Sequence, residues 1–166
     1  SPADVADLIP EALRQNLTRI VVGEVRGTEA GAMFDAMNSG AGSLSTTHSH
    51  SAASIMDRLA SRVAHGGVVG MSEAYRQIAN NLDLLVHIKL IDDTWRGGTR
   101  RRFVSEVRQV TGAIENDRPT THLTYSTDPD GRPLALHADA GFWSELAPYD
   151  HAWDDARHRR TERSHR

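Results

Sequence analysis

A glutamate stands directly beyond a short apolar run near the start of the chain. The run is Ile20-Val21-Val22, and Gly23 and Glu24 follow it. Three consecutive β-branched residues are too few for a helix and favour a strand that is covered on both faces. A carboxylate just past such a strand could hold Mg²⁺ through water, or orient a water molecule in line with a terminal phosphate. A carboxylate that caps a helix or ends a hairpin would explain the same residue, so Glu24 alone does not decide the chemistry.

A cluster of hydroxyl and imidazole side chains follows a second predicted strand, from Ser43 to Thr47. The cluster spans residues 46–51 and contains His48 and His50. An imidazole there could donate a hydrogen bond to a phosphate oxygen or to a polar neighbour. Because residues two apart on a strand point to the same side, the two histidines could instead bind a metal, but the sequence offers no convincing third ligand. We therefore expect no metal site. The alternative to a hydrogen-bonding role is that both histidines are exposed loop residues.

Helical periodicity surrounds these two segments. Apolar residues recur at spacings of three and four in the stretches 5–13, 30–37, 52–63 and 71–82. Pro10 interrupts the first stretch, so we expect a kink or two short helices there. Thr28 is a candidate N-cap for the second stretch. Helices that alternate with short apolar strands predict an α/β fold with a parallel sheet, in which ligands bind beyond the carboxyl ends of the strands.

The second half of the chain shows a different pattern. Leu84 to Ile91 alternates with the period of a strand. Arg96-Gly97-Gly98-Thr99 then turns the chain into a second run, from Arg102 to Val110. These features predict a β-hairpin after the last helix.

Turn residues and charge divide the rest of the chain. We place a boundary near Gly112, which gives a core at 1–112 and an extension of strand and turns at 113–148. The extension contains a weak strand candidate at 121–127. The mixed charges and few apolar residues of 149–166 predict a disordered tail.

Composition excludes several classes of protein. A chain of 166 residues is long enough to bury a core. It has no Cys, which excludes a disulfide framework, a zinc-thiolate site and a cysteine nucleophile. The 19 basic and 22 acidic residues give a net charge of −3, which excludes a globally basic nucleic-acid binder. No apolar run approaches the roughly 20 residues that a membrane-spanning helix requires.

Three segments together resemble the Walker B motif and the histidine box of the type II/type IV secretion ATPases. They are Ile20–Gly27, Ala36–Gly40 and Gly42–His48. The similarity is greatest to the branch that serves tight-adherence pili and conjugal transfer. It continues in order over about two thirds of the chain, through residues 57–59, 77–86 and 101–112.

The resemblance implies the C-terminal part of a RecA-like P-loop NTPase core, with a β-hairpin and a short C-terminal extension. It implies ATP and Mg²⁺ as cofactors, a homohexameric ring, and partners in the inner-membrane secretion or pilus machinery. The location implied is cytoplasmic, peripheral at the inner face of the cell membrane. ATP hydrolysis would be coupled to protein export, pilus assembly or conjugal transfer, with no direct contact to nucleic acid.

The same resemblance assigns roles to individual residues. Glu24 matches the catalytic acid of the Walker B motif, and His48 matches the nucleotide-sensing histidine. Arg26 matches the arginine that follows the acid, and it serves either a structural ion pair or an interface contact. His50 stands where the family usually has Asn, and Thr47 where an apolar residue is common, so neither receives a fixed role.

The phosphate-binding loop of such ATPases is not found in these 166 residues. That loop requires Gly-x-x-x-x-Gly-Lys followed by Ser or Thr, because backbone amides and the ammonium together neutralise the phosphates. Lys89 is the only lysine, and Leu90 follows it. We therefore interpret the chain as the C-terminal half of an ATPase, expected to be inactive alone. The alternative is a non-enzymatic truncated piece that binds subunits or machine partners.

Arginines cluster at the Gly-Gly tip of the predicted hairpin. Arg96 precedes the tip and Arg100–Arg102 follow it. Such a cluster could contact nucleic acid or an acidic partner. Asp92 and Asp93 offset the charge, so we favour a solvated hairpin end.

Overall fold

The computed structural model describes residues 5–27, 29–38, 42–65 and 69–134. The first part alternates helices and short strands. These elements are α1 (Val5–Leu13), β1 (Arg19–Val22), α2 (Glu29–Asn38), β2 (Gly42–Ser45), α3 (Ala52–His65) and α4 (Met71–Asn81). Three strands follow, β3 (Leu84–Asp92), β4 (Arg100–Glu115) and β5 (Arg118–Ser126). The candidate N-cap Thr28, and everything from 135 onward including the predicted tail, lie outside the described residues.

The strands β1 and β2 form a parallel pair, as the alternation of elements predicts. Ile20 lies opposite Ser43, and Val22 lies opposite Ser45. Ile20 and Val22 are buried, but Val21 between them is 68% exposed. The expectation that β1 is covered on both faces is therefore wrong for the part of the chain that the structure describes. With period two, residues 20 and 22 face the helices, and no described element packs on the opposite face.

The helices bury most of the apolar residues that their periodicity predicts, although Leu8 of α1 and Met71 of α4 stay exposed. Phe34 and Met33 of α2 and Ile78 of α4 are almost completely removed from solvent, and Val25 joins them from the loop after β1. Pro10 lies inside α1, which is one helix rather than two. A proline there removes one backbone hydrogen bond, and the burial of the neighbouring Ile9 keeps the helix packed on the core.

The strands β3, β4 and β5 form an antiparallel sheet in that order. Asn116 and Asp117, both with positive φ, form the two-residue turn between β4 and β5. The boundary predicted near Gly112 falls inside β4, where the pairing register shifts between Val110 and Ile114. Gly112 has φ 76°, a backbone conformation that other residues rarely adopt, so it marks a local irregularity within one continuous strand.

A carboxylate of α3 contacts both a neighbouring helix and this sheet. Asp57 of α3 accepts a hydrogen bond of 2.7 Å from the hydroxyl of Tyr75 in α4. It also lies 3.4 Å from the guanidinium of Arg118 in β5. The hydrogen bond raises the pKa of Tyr75, so its hydroxyl stays protonated and continues to donate. These contacts connect α3 to its neighbouring helix and to the sheet.

A buried carboxylate begins α2. The side chain of Glu29 accepts hydrogen bonds from the backbone N–H of Arg26 and, at 2.9 Å, from that of Gly27. Burial alone would raise the pKa of Glu29. Backbone N–H donors, together with the positive charge of Arg62, outweigh that effect and hold the pKa below its usual value. The ionised carboxylate therefore stabilises the loop between β1 and α2.

Shortening a buried side chain should lower the free energy of unfolding more than the same change at an exposed position. Ile78→Val removes one methylene from a fully buried site, so we expect a loss of about 1 kcal/mol in the free energy of unfolding. Ile88→Val in β3 is the control, because Ile88 is 60% exposed. Urea unfolding of this chain measures both, and equal losses would contradict the burial pattern.

Removing the charge of Glu29 should produce a pH-dependent loss of stability. Glu29→Gln keeps an acceptor oxygen but weakens both hydrogen bonds, so we expect a loss of about 1 kcal/mol at pH 7. Because the folded pKa is lowered, the stabilisation is present above the ordinary value of 4.5 and is lost as pH falls through the folded pKa. The difference between wild type and variant should shrink over that range.

Urea unfolding at several pH values between 3 and 7 tests this dependence, with Glu115→Gln as the control. Glu115 is exposed at the end of β4, so its change should stay within about 0.5 kcal/mol at every pH. A difference for Glu29→Gln that stayed constant with pH would show that the buried carboxylate is not ionised.

Candidate functional site

The structure brings Glu24 and His48 together at the carboxyl edge of the parallel strand pair. Glu24 follows the end of β1, and His48 follows the end of β2. Nε2 of His48 lies 3.2 Å from Oε1 of Glu24. Because β1 and β2 are parallel neighbours, their carboxyl ends meet at one edge, and the two side chains converge as the sequence predicts.

Hydrogen bonds beyond the strands maintain this convergence. The backbone N–H of Val25 donates to the carbonyl of Thr46 at 2.8 Å. The hydroxyl of Thr46 donates to the carbonyl of Gly23, and the hydroxyl of Thr47 donates to that of Val25 at 3.0 Å. The two loops therefore run side by side past the last paired residues, and the sheet pairing continues up to the site.

Arg26 pairs with the carboxylate of Glu24. Its guanidinium contacts Oε2, while His48 approaches the other oxygen. The hydrogen bond from Arg26 is the main cause that lowers the pKa of Glu24; partial burial opposes it, and the charges of Arg26, His48 and Arg62 add to it. Glu24 is thus ionised at neutral pH. Arg26 therefore forms an ion pair with Glu24 in the described structure, and the interface contact, the other role that the sequence left open, stays a prediction.

The two partners of Glu24 are open to solvent. The side chain of Glu24 is 24% exposed, whereas those of Arg26 and His48 are 76% and 83% exposed. A site with this profile has a partly buried carboxylate at its base and exposed polar groups at its rim. It can orient a water molecule at the carboxylate and donate hydrogen bonds to an anion that arrives from solvent.

Arg62 of α3 also belongs to this site, and the sequence analysis missed it. One guanidinium nitrogen donates to the carbonyl of Val25 at 2.8 Å and to the hydroxyl of Thr47. Thr47, which received no role from sequence, is therefore a link between the two loops. A signal was present, because Arg62 lies three residues after Leu59 and so shares the helix face that packs on the strands.

A serine cluster begins α3 directly after His48. The hydroxyl of Ser51 accepts the backbone N–H of Ser54 at 3.1 Å, and the hydroxyl of Ser54 returns to the carbonyl of Ser51 at 3.1 Å. Ser51 is therefore the N-cap of α3, and Ser54, three residues later, makes the reciprocal contact. The cap defines where the loop that carries His48 ends.

The second histidine is not part of a metal cluster in the described residues. His50 is exposed, and the structure gives it no hydrogen bond or ion pair within the described ranges. In the same ranges no three His, Cys, Asp or Glu side chains lie close enough to hold a metal ion. The hypothesis of a metal bound by His48 and His50 thus gains no third ligand from the fold.

A groove of 390 Å³ lies beside His48, between β2 and β3. Its lining mixes exposed apolar side chains, such as Leu44 and Ile88, with hydroxyl and imidazole groups, such as Thr46 and His48. Glu24 is not among the lining residues, so its carboxylate lies outside this groove.

Two arginines of the hairpin tip are paired with the carboxylates that precede it. Arg96 lies 2.8 Å from Asp93, and Arg100 lies 3.6 Å from Asp92. Arg96 also stacks over the exposed ring of Trp95, 5.7 Å from its centre. The predicted offset by Asp92 and Asp93 is present, which agrees with a solvated hairpin end.

The described helices are short. The longest, α3, has 14 residues, and none of the described helices is both long and apolar enough to cross a membrane.

Comparison with known proteins agrees with this architecture. The model of the family described as type II/IV secretion system protein matches residues 2–132. The conjugal transfer protein TrbB of Rhizobium radiobacter is 35% identical over 120 residues, which are 72% of this chain and 34% of that protein. The chain thus spans about a third of the length of this relative.

Two solved structures share the fold. The VirB11 ATPase of the Brucella suis type IV secretion system is 28% identical with a TM-score of 0.55, over 65% of this chain and 32% of that one. The ATPase DotB of Yersinia pseudotuberculosis is 25% identical with a TM-score of 0.53, over 63% and 26% of the two chains. The chain belongs to the type II/IV secretion system protein family and has the RecA-like α/β fold of its ATPases.

Proposed function

We propose that this chain supplies the hydrolytic edge of a secretion ATPase that couples ATP hydrolysis to protein export, pilus assembly or conjugal transfer. The contact of 3.2 Å between Glu24 and His48 at the ends of two adjacent parallel strands carries the proposal. An ionised carboxylate there can polarise an attacking water, and an imidazole beside it can respond to the terminal phosphate. The conjugal transfer relative and the two ATPase structures support the same assignment.

The residues present fit one side of an ATP and Mg²⁺ site. Glu24 is ionised and partly exposed, so it fits an outer-sphere role toward a hydrated magnesium ion. Bound Mg²⁺ would neutralise charge on the phosphates. In these 166 residues no Gly-x-x-x-x-Gly-Lys loop is available to grip them. We propose that the phosphate-binding loop belongs to another part of the functional ATPase.

The partners of the site are part of the proposal. Arg26 and His48 are largely exposed, which suits a site completed by a second body. We propose a homohexameric ring that works with inner-membrane secretion or pilus components, in the cytoplasm at the inner face of the membrane. A second candidate is a non-enzymatic assembly piece, which the missing phosphate-binding loop favours.

The chain of 166 residues, purified alone, should show no ATPase activity above background. Catalysis of phosphoryl transfer depends on positioning and charge stabilisation, and the main phosphate cradle is missing from this sequence. Phosphate release measured with Mg²⁺ and ATP tests this, with the Glu24→Gln chain as control. Turnover that disappears in the control would contradict the prediction and reveal another phosphate-binding site in the chain.

In a full-length ATPase that contains this segment, Glu24→Gln should preserve ATP binding and abolish most turnover. The amide keeps the size and the acceptor of the carboxylate but lacks the charge that polarises water, so kcat should fall by about a hundredfold or more. Equilibrium binding of ATP and steady-state phosphate release measure the two effects. Near wild-type turnover would show that Glu24 is only a strand-end carboxylate.

His48→Ala in the same full-length protein should lower kcat through a different effect. It removes a donor that responds to the terminal phosphate and links it to the adjoining helix α3. We therefore expect weaker discrimination between ATP and ADP in the conformation of the ring, measured as the difference in proteolysis between the two nucleotide states. His50→Ala is the control, because His50 makes no contact with Glu24 in the described structure. Unaltered discrimination in His48→Ala would overturn its sensing role.

A further inference from the structure

We infer that Arg62 is a positioning residue for the Glu24–His48 pair. Reaching from α3, its guanidinium holds the carbonyl of Val25 and the hydroxyl of Thr47. These two residues are the immediate chain neighbours of Glu24 and His48. This inference rests on the proposed ATPase function and adds a residue that the resemblance did not assign.

The geometry forms a closed triangle of three groups. Arg62 donates to the carbonyl of Val25 at 2.8 Å and to the hydroxyl oxygen of Thr47. That hydroxyl donates in turn to the same carbonyl at 3.0 Å. The carbonyl has two lone pairs and so receives both donors. Displacing any one of the three groups therefore disturbs its hydrogen bonds to the other two.

The triangle is anchored in the core. Val25 is fully buried, so its backbone cannot shift without displacing packed side chains. On the helix, Leu59 and Val63 on either side of Arg62 are buried as well, which fixes the start of the long side chain. Arg62 thus transmits the position of α3 to both loops of the site.

The charge of Arg62 also acts on the carboxylates around it. It is among the positive charges that lower the pKa of Glu24 and of Glu29. Glu29 in turn holds the backbone N–H groups of Arg26 and Gly27. One cation on α3 therefore supports the carboxylate of the site and the buried carboxylate that shapes the following loop.

A pair of variants separates this role from simple packing. Arg62→Met keeps most of the apolar stem but removes the charge and every donor, whereas Arg62→Lys keeps a cation and a donor. Arg58→Met is the matched control, because Arg58 lies one turn earlier on the same helix, is exposed, and makes no hydrogen bond or ion pair among the described residues.

The experiment uses a full-length ATPase that contains this segment, with kcat, KM for ATP and thermal unfolding measured for each variant. We expect Arg62→Met to lower kcat by about tenfold to a hundredfold with little change in KM, because loops displaced by a fraction of an ångström misplace the reacting groups. Arg62→Lys should recover much of kcat, and Arg58→Met should equal wild type. If Arg62 only stabilised the fold, Arg62→Met would lower the unfolding temperature and leave kcat per folded site unchanged.

Thr47→Val tests the same triangle without changing the helix. It removes the hydroxyl while keeping the shape, so kcat should fall and the double variant with Arg62→Met should lose little more. If Arg62→Met unfolds at the assay temperature, the kcat of Thr47→Val tests the inference in its place. Wild-type kcat in either Arg62→Met or Thr47→Val, in a protein that Glu24→Gln inactivates, overturns the inference. An inactive wild-type protein overturns the proposed function instead.

Discussion

The site depends on sheet pairing that continues after the strands have ended. Only four residues pair in each of β1 and β2, yet the N–H of Val25 still meets the carbonyl of Thr46 beyond them. The hydroxyl of Thr46 reaches back to Gly23 and reinforces that contact. Because the two loops stay side by side, Glu24 and His48 come within hydrogen-bonding reach. Without this continuation, two short parallel strands would leave their following loops free to diverge.

The helices and the antiparallel sheet support that arrangement. Asp57 of α3 is held by Tyr75 and Arg118, so the helix is tied to α4 and to β5. The same helix carries Arg62, which contacts both loops of the site. The antiparallel sheet has no residue in the site, but its buried Leu85 and Val110 pack into the same core as α3. The rim groups Arg26 and His48 contact Glu24 but are mostly exposed, so a ligand that arrives from solvent can reach them.

Local patterns predicted most elements but not their surroundings. Helical periodicity identified four helices, and Pro10 did not divide the first because tertiary packing of Ile9 outweighs one missing hydrogen bond. The burial of β1 was wrong on one face, since β-branching reports strand preference and not which faces are covered. Gly112 suggested a boundary, yet it is an irregularity within β4, because the same positive φ serves a bulge as well as a turn.

The sequence by itself determined the α/β pattern and made Glu24 and His48 candidates for chemistry. Glu24 follows a short apolar strand that can be recognised locally, and the motif resemblance adds His48 after the second predicted strand. The tertiary structure decided which groups surround them. Glu29 received no role from the sequence, and the fold buries it against two backbone N–H groups. Arg62 also received no role from the sequence, and it lies 37 residues away from Val25 in the chain. The contact of Arg62 forms only when packing brings distant segments together, so the helical pattern could indicate its face but not its partners.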